Sequence, residues 1–346
     1  MFLWLPAKTS YSQQQYSVTF WQQLQNMNSS LVAPNMTAVA QELAGFLRES
    51  FLVVFTKNIV AVLVWMTLSL INSSMVGTFL KHSLFYEDPR YIMFIAMVIN
   101  DTVQLTLVTT LYVISYLFFK VHASACCVLV MVAVLTTRCT PFILAGMAVE
   151  RYTAICFPLH NQHICTVGRT VLLIGAILLL SWSMPMTDLF ITLAKKPLGL
   201  FHSYVFCDHS LLFTDPSIYL KNLAFDAVFL SFIFLTLFYT YFKIVLVARA
   251  ASGDLQSVRK ARNTVLLHGL QLMLCMLAFV VPSMQALLIQ YFPKYSLEIR
   301  YVNFLLVYII PRFLSPMIYG FRDEKFRKYW VSYIMIKNTK VHLTIK

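Results

Sequence analysis

Met147-Ala148-Val149-Glu150-Arg151-Tyr152-Thr153-Ala154-Ile155-Cys156-Phe157-Pro158-Leu159 ends one apolar run in an acid, a base and an aromatic residue, then passes into a short loop closed by Pro158. A charged side chain at the edge of an apolar helix is costly unless it lies at a membrane surface or meets a partner. The run itself spans 124–149, and six more of similar character surround it, near 57–80, 91–119, 170–193, 221–248, 262–291 and 300–320. Each is close to the roughly 20 residues needed to cross a bilayer. They are rich in Leu, Val, Ile, Phe and Met and do not alternate with period two, so they read as helices rather than barrel strands.

Composition leads to the same class. Of 346 residues, 59% are hydrophobic and only 12% charged, where soluble domains carry roughly 25% charged residues. The mean hydropathy is +0.71. The expected fold is an all-α membrane protein, a seven-transmembrane helix bundle. The net charge of +13 sits at segment ends and in short loops, the pattern of membrane orientation; nucleic acid is not an expected partner. The seven cysteines lack paired metal-ligand spacing, and no catalytic triad or phosphate loop is visible, so neither a metal, a cofactor nor enzymatic activity is expected. Met1 to Pro6 is too short for a signal peptide, and the first span reads as a signal anchor.

Three regions are expected: a polar tail over 1–50, the membrane domain over 51–320, and an inner segment over 321–346. The tail holds two glycosylation sequons, at Asn28 and Asn35; those at Asn72 and Asn100 fall inside apolar spans. Arg249, Arg259, Lys260 and Arg262 between spans five and six, and Arg322, Lys325, Arg327 and Lys328 after span seven, place those two segments on the cytoplasmic side. The N-terminus is then outside, where its sequons have meaning. After span seven, Phe321, Phe326, Tyr329 and Trp330 share a helical face opposite the charges, which predicts a short amphipathic interfacial helix on the inner leaflet. The halves show no repeat, which argues against an inverted-repeat transporter.

The triplet alone has two readings. Arg151 can pair with Glu150 at rest and be released to offer its donors, or it can be a positive anchor at a helix end. The wider string resembles the inner end of the third helix of rhodopsin-like G-protein-coupled receptors, and Ala154 to Leu159 looks like the extended form of odorant receptors. Ser315-Pro316-Met317-Ile318-Tyr319 resembles their seventh-helix motif. Asp88-Pro89-Arg90-Tyr91-Ile92, Asn100-Asp101, Lys260 to Cys275 and Leu314 to Glu324 are similar to a divergent subfamily of teleost odorant receptors. The resemblance covers roughly 55–330.

It implies that Glu150, Arg151, Tyr152, Pro316 and Tyr319 form the G-protein coupling and activation switch. It selects a Cys126–Cys207 disulfide, with Cys127 as the competing partner. Cys126 lies 25 residues before Arg151, about 37 Å of helix, enough to cross a bilayer. It places Asn72, Asp101 and Arg312 in a buried polar network near the sodium pocket of rhodopsin-like receptors, where Arg312 would replace the ion as counter-charge to Asp101. It puts ligand in the outer half of the bundle, against Met131, Val134, Thr137, Arg138, Ser283, Met284, Leu287, Leu305 and Tyr308; ordinary helix packing is an equal reading for each. Met and Phe abundance favours a pliable apolar pocket. Arg138 either pairs with Asp226 or reaches an acidic ligand. Pro282 and Pro316 mark hinges or static kinks. The chain departs from the pattern in three places: Cys207 alone stands in the second outer loop, Val280-Val281 precede Pro282 where an aromatic is usual, and Trp182 stands for a displaced fourth-helix tryptophan.

The function expected is an odorant receptor that binds small-molecule odorants from outside and activates a heterotrimeric G protein, which the resemblance makes stimulatory and cAMP-raising, within the lipid bilayer of the plasma membrane of sensory cilia. Arrestin or a second receptor are further candidate partners. The alternatives are a rhodopsin-like receptor for an endogenous lipid or peptide, and a small transporter using Asp101, Arg138, Asp226 and Arg312.

Overall fold

The computed structural model describes residues 51–117, 121–205, 207, 209–250, 295–314 and 323–344, with scattered positions between 273 and 292. The sequons at Asn28 and Asn35, and Ser283, Leu287, Pro316, Tyr319 and Phe321, lie outside the described residues. Among the described residues five long helices carry the fold: α1 (Phe51–Lys81), α2 (Pro89–Leu117), α3 (Ala123–Cys156), α4 (Val167–Lys195) and α5 (Pro216–Ala250). All five are long and apolar enough to cross a membrane, and the shorter Tyr301–Leu314 is apolar as well. The described strands are Val121–His122 and Tyr204–Val205, paired antiparallel with Val121 opposite Val205.

Short polar signals set where these helices begin. Asp88 precedes Pro89, and its carboxylate accepts the Arg90 amide at 3.0 Å. Asp215 precedes Pro216 and accepts the Ser217 amide at 2.8 Å. An acidic cap followed by proline at the first helical position satisfies an orphan donor and presets φ. Helix α5 therefore starts five residues before the apolar boundary at 221, and Lys221 and Asn222 lie inside it. Helix α3 likewise continues to Cys156, so Glu150-Arg151-Tyr152 lies within the helix rather than at its end. The expected loop after it is itself a helix, Pro158–Ile164, with proline at its start.

Helix α3 is the hub, in contact with α2, α4 and α5. Of its most apolar stretch 56% is buried, against 22%, 22% and 17% for α1, α4 and α5. Those three show Leu70, Leu172, Leu179, Phe232 and Leu235 outward, the surface a helix presents to lipid when its backbone bonds are internally satisfied. One core joins α2, α3 and α5 through Met97, Ile143, Leu144 and Phe229, and a second lies at the disulfide end around Cys126, Met131, Leu212 and Ile218.

The C-terminal helix Glu324–Thr344 begins at Asp323, whose carboxylate accepts both the Phe326 amide at 2.9 Å and the Tyr91 hydroxyl at 3.0 Å. Part of its apolar surface packs on protein, while Val331, Ile334 and Met335 stay exposed, as an interfacial helix requires. Phe326 and Trp330 are buried, and Phe85 meets the rings of Tyr91, Phe326 and Tyr329 at 4.8, 5.3 and 5.6 Å. Gly77 of α1 leaves room for Tyr333, since a Cβ there would come within 2.5 Å of the Tyr333 hydroxyl. Trp330 Nε1 donates to Ser74 Oγ at 2.7 Å. Trp330→Phe loses that bond and the five-membered half of a buried indole, so it is expected to cost at least about 1 kcal/mol. The check is the thermal midpoint of the detergent-solubilised protein beside amide exchange in the C-terminal helix. An unchanged midpoint and unchanged exchange would count against this docking.

Candidate functional site

Three polar groups interrupt the apolar bundle. The first is at the Arg151 end of α3. Glu150 is buried, and Arg151 Nε stands 3.6 Å from Glu150 Oε2 with 28% of the arginine side chain exposed. Tyr152 packs its ring against Phe157 and against Tyr239 of α5, both at 5.8 Å between centroids. Thr153 donates to the Glu150 carbonyl at 2.8 Å and to Asn161 Oδ1 at 3.1 Å, tying the Pro158–Ile164 helix back to α3. A small recess beside the pair is walled by Arg90, Tyr91, Met147, Asp323 and Phe326. Arg90 is itself held by Asp88 through Nε, 3.0 Å from both carboxylate oxygens. Burial works against the Asp88 carboxylate, but the hydrogen bonds and charge of Arg90 prevail and hold its pKa below the usual range. The arrangement is a partly exposed guanidinium kept in place by a buried acid, next to a second, more exposed arginine–carboxylate pair.

The second group lies between α2, α3 and the span-seven helix. Arg312 and Asp101 are 2% and 1% exposed, with Arg312 Nε 3.9 Å from Asp101 Oδ1. The shorter contacts of Arg312 go elsewhere: Nη2 donates to Gln104 Oε1 at 2.5 Å and Nη1 to the Val307 carbonyl at 2.7 Å. The second bond has a local cause. Pro311 has no N–H to give the carbonyl four residues before it, which is that of Val307. The backbone there forms a π turn, Phe304–Ile309, and the Arg312 side chain supplies the missing donor. Gln104 in turn donates to Thr137 at 2.7 Å, and Thr140 donates to Asp101 Oδ1 at 3.4 Å, linking the network to α3. Asn72, expected in the same network, donates to Thr102 at 3.0 Å.

The third group lies between α3, α4 and α5. Arg138 Nη2 stands 3.0 Å from Asp226 Oδ1, so the expected helix–helix pair is present, and the guanidinium lies 5.2 Å from the centre of the Phe225 ring. Beside it, Asp188 of α4 is 1% exposed. Asp188 is contacted by Lys221 Nζ, by Asn222 Nδ2 at 3.1 Å and by His209 Nε2 at 3.4 Å. The sequence reading passed over Gln104, Asp188, His209, Lys221 and Asn222. A signal existed for most of them: Gln104 is three residues after Asp101, Asn222 four before Asp226, and Asp188 is a lone acid in an apolar span.

The remaining expected ligand residues are dispersed. Met131 is buried, and Val134 packs against its cluster under the disulfide-linked loop. Thr137 is bonded to Gln104. Leu305 and Tyr308 pack against Leu68, Leu105 and Phe304, a separate cluster. Met284 is 53% exposed. Cys126 and Cys207 form a disulfide between α3 and the long loop before α5. Among the described residues no group of His, Cys, Asp and Glu has the makings of a metal site.

The chain matches the model of the family described as "7 transmembrane receptor (rhodopsin family)" over residues 71–319. It is also 32% identical over 257 residues to Odorant receptor 131-2 of Danio rerio, covering 74% of this chain and 79% of that relative.

Proposed function

Because the chain belongs to the rhodopsin family of seven-transmembrane receptors, among relatives of a fish odorant receptor, we propose that it is an odorant receptor that takes up small molecules from outside the cell and activates a heterotrimeric G protein within. The family makes it a membrane receptor rather than an enzyme. In this reading residues 1–50 are an extracellular, glycosylated tail, 51–320 the receptor domain and 321–346 the cytoplasmic helix and tail, in the plasma membrane of sensory cilia.

The observation that supports it most is the Glu150–Arg151 pair on the most buried helix, with the disulfide at that helix's other end. A ligand that binds the active arrangement better shifts the bundle towards it. Separation of Arg151 from Glu150 then exposes five N–H donors at the inner surface. Tyr152 is the contact through which α5 follows α3. Arg151→Ala is expected to reach the cell surface normally and to lower ligand-stimulated cAMP at least tenfold in cells challenged with a panel of volatile and water-soluble odorants. A full response from that variant would remove the role given to Arg151. Solute uptake by vesicles lacking G protein would instead support a transporter.

A further inference from the structure

Twelve residues along α3 from Cys126, about 18 Å of helix, four charged side chains and a histidine meet between α3, α4 and α5. Two of the charges are well served. Asp188 is closed in by Lys221, Asn222 and His209. The other two are not. Arg138 is 6% exposed and reaches Asn222 Oδ1 only at 3.4 Å. Its Nη1 has no hydrogen-bond partner among the described residues, and neither does Asp226 Oδ1, so the 3.0 Å approach of Arg138 Nη2 to Asp226 Oδ1 is a contact of charges without a hydrogen bond. A buried ion pair offsets its desolvation only when the remaining donors and lone pairs are hydrogen-bonded. This pair is therefore open to exchange, while its neighbours are not.

The sum of charge narrows what can exchange with it. Arg138 and Lys221 balance Asp188 and Asp226. A ligand of one net charge would add an uncompensated ion to a low-dielectric site. A ligand carrying both signs leaves the balance intact: its carboxylate takes the donors of Arg138, and its ammonium takes Asp226, whose side chain is 26% exposed. We propose that the ligand class of this receptor is the dipolar ion, with carboxylate and ammonium a few bonds apart as in an α-amino acid, bound between Arg138 and Asp226. Val134, one turn from Arg138 on α3, and Phe225, already against the guanidinium, supply apolar neighbours for the rest of such a molecule.

This class rests on the receptor reading above, and the experiment separates the two. The full chain is placed in lipid vesicles with a heterotrimeric G protein. It is given four mixtures: the protein amino acids, their methyl esters, their N-acetyl derivatives, and neutral aldehydes and ketones. Thermal stabilisation of the receptor reports binding, and nucleotide exchange reports signalling. The amino acids are expected to act at concentrations at least tenfold below either blocked series. The double variant Arg138→Gln with Asp226→Asn, which removes one charge of each sign and keeps the balance, is expected to reach the surface and to lose that advantage. Asp226→Glu, which keeps the charge, should retain part of it. Activation by the neutral mixture and not by amino acids would overturn the class and leave the receptor reading standing. Stabilisation by amino acids without exchange would support the class and count against G-protein coupling. No effect of amino acids on either readout would overturn the proposal.

Discussion

Arg312→Ala is expected to be among the most damaging single substitutions in the bundle, with loss of surface expression and a cost of about 3–5 kcal/mol, the usual range for breaking one side of a buried ion pair. Three groups lose their partner at once. The Asp101 carboxylate loses its counter-charge at 3.9 Å, Gln104 Oε1 its donor at 2.5 Å, and the Val307 carbonyl a side-chain donor at 2.7 Å. Arg312→Lys keeps the charge but not the planar fork that serves two acceptors, so an intermediate loss is expected. Asp101→Asn combined with Arg312→Gln removes both charges and should recover much of the expression lost by Arg312→Ala, since removing both partners costs less than stranding one. Surface labelling and the thermal midpoint in detergent measure all three. A parent-like midpoint for Arg312→Ala would sink this account.

Cys207→Ser is expected to have an effect of comparable size. The disulfide spans 81 residues of chain, and closure of a loop that long restricts the unfolded chain by about 4–5 kcal/mol in the chain-entropy model. Loss of the bond also frees the loop around Leu212 and Phe213 from the cluster that covers Cys126 and Met131. The variant should therefore show a lower thermal midpoint and a smaller surface fraction. A reducing agent should lower the parent's midpoint and leave the variant's alone. Cys127 is buried and free of a disulfide, so Cys127→Ser should keep the parent's sensitivity to reduction. A Cys207→Ser protein as stable as the parent would show that the bond contributes nothing.

Much of the site was legible one residue at a time. Asp101, Arg138, Asp226 and Arg312 are charges in apolar spans, and in hydrocarbon each must find a partner. Their types alone thus announced a polar interior. The partners were less legible, because they depend on the rotational phase and depth of each helix. Arg312 was expected to answer Asp101, yet its short bonds go to Gln104 and to a carbonyl exposed by the proline beside it. Thr137 and Arg138, expected at the ligand, are adjacent in sequence but turn to different helices, Thr137 to α2 and Arg138 to α5.

Length, hydropathy and the placement of charge were enough to establish a helical membrane protein, because a bilayer admits only chains that satisfy their own backbone bonds over a fixed thickness. Local polar pairs such as Asp88-Pro89 and Asp215-Pro216 were enough to start helices, since a cap acts within one turn. Tertiary structure alone decided which apolar faces meet protein and which meet lipid, as the C-terminal helix illustrates. Phe326, Tyr329 and Trp330 form the same face in either case, and a leaflet and the groove beside Phe85 are equally apolar. Only the close fit of Tyr333 over Gly77 and the bond from Trp330 to Ser74 distinguish them. The charged cluster of α3, α4 and α5 was decided the same way. Asp188, Lys221 and Arg138 lie far apart in the chain, and each acquires its partner only when three helices pack in register.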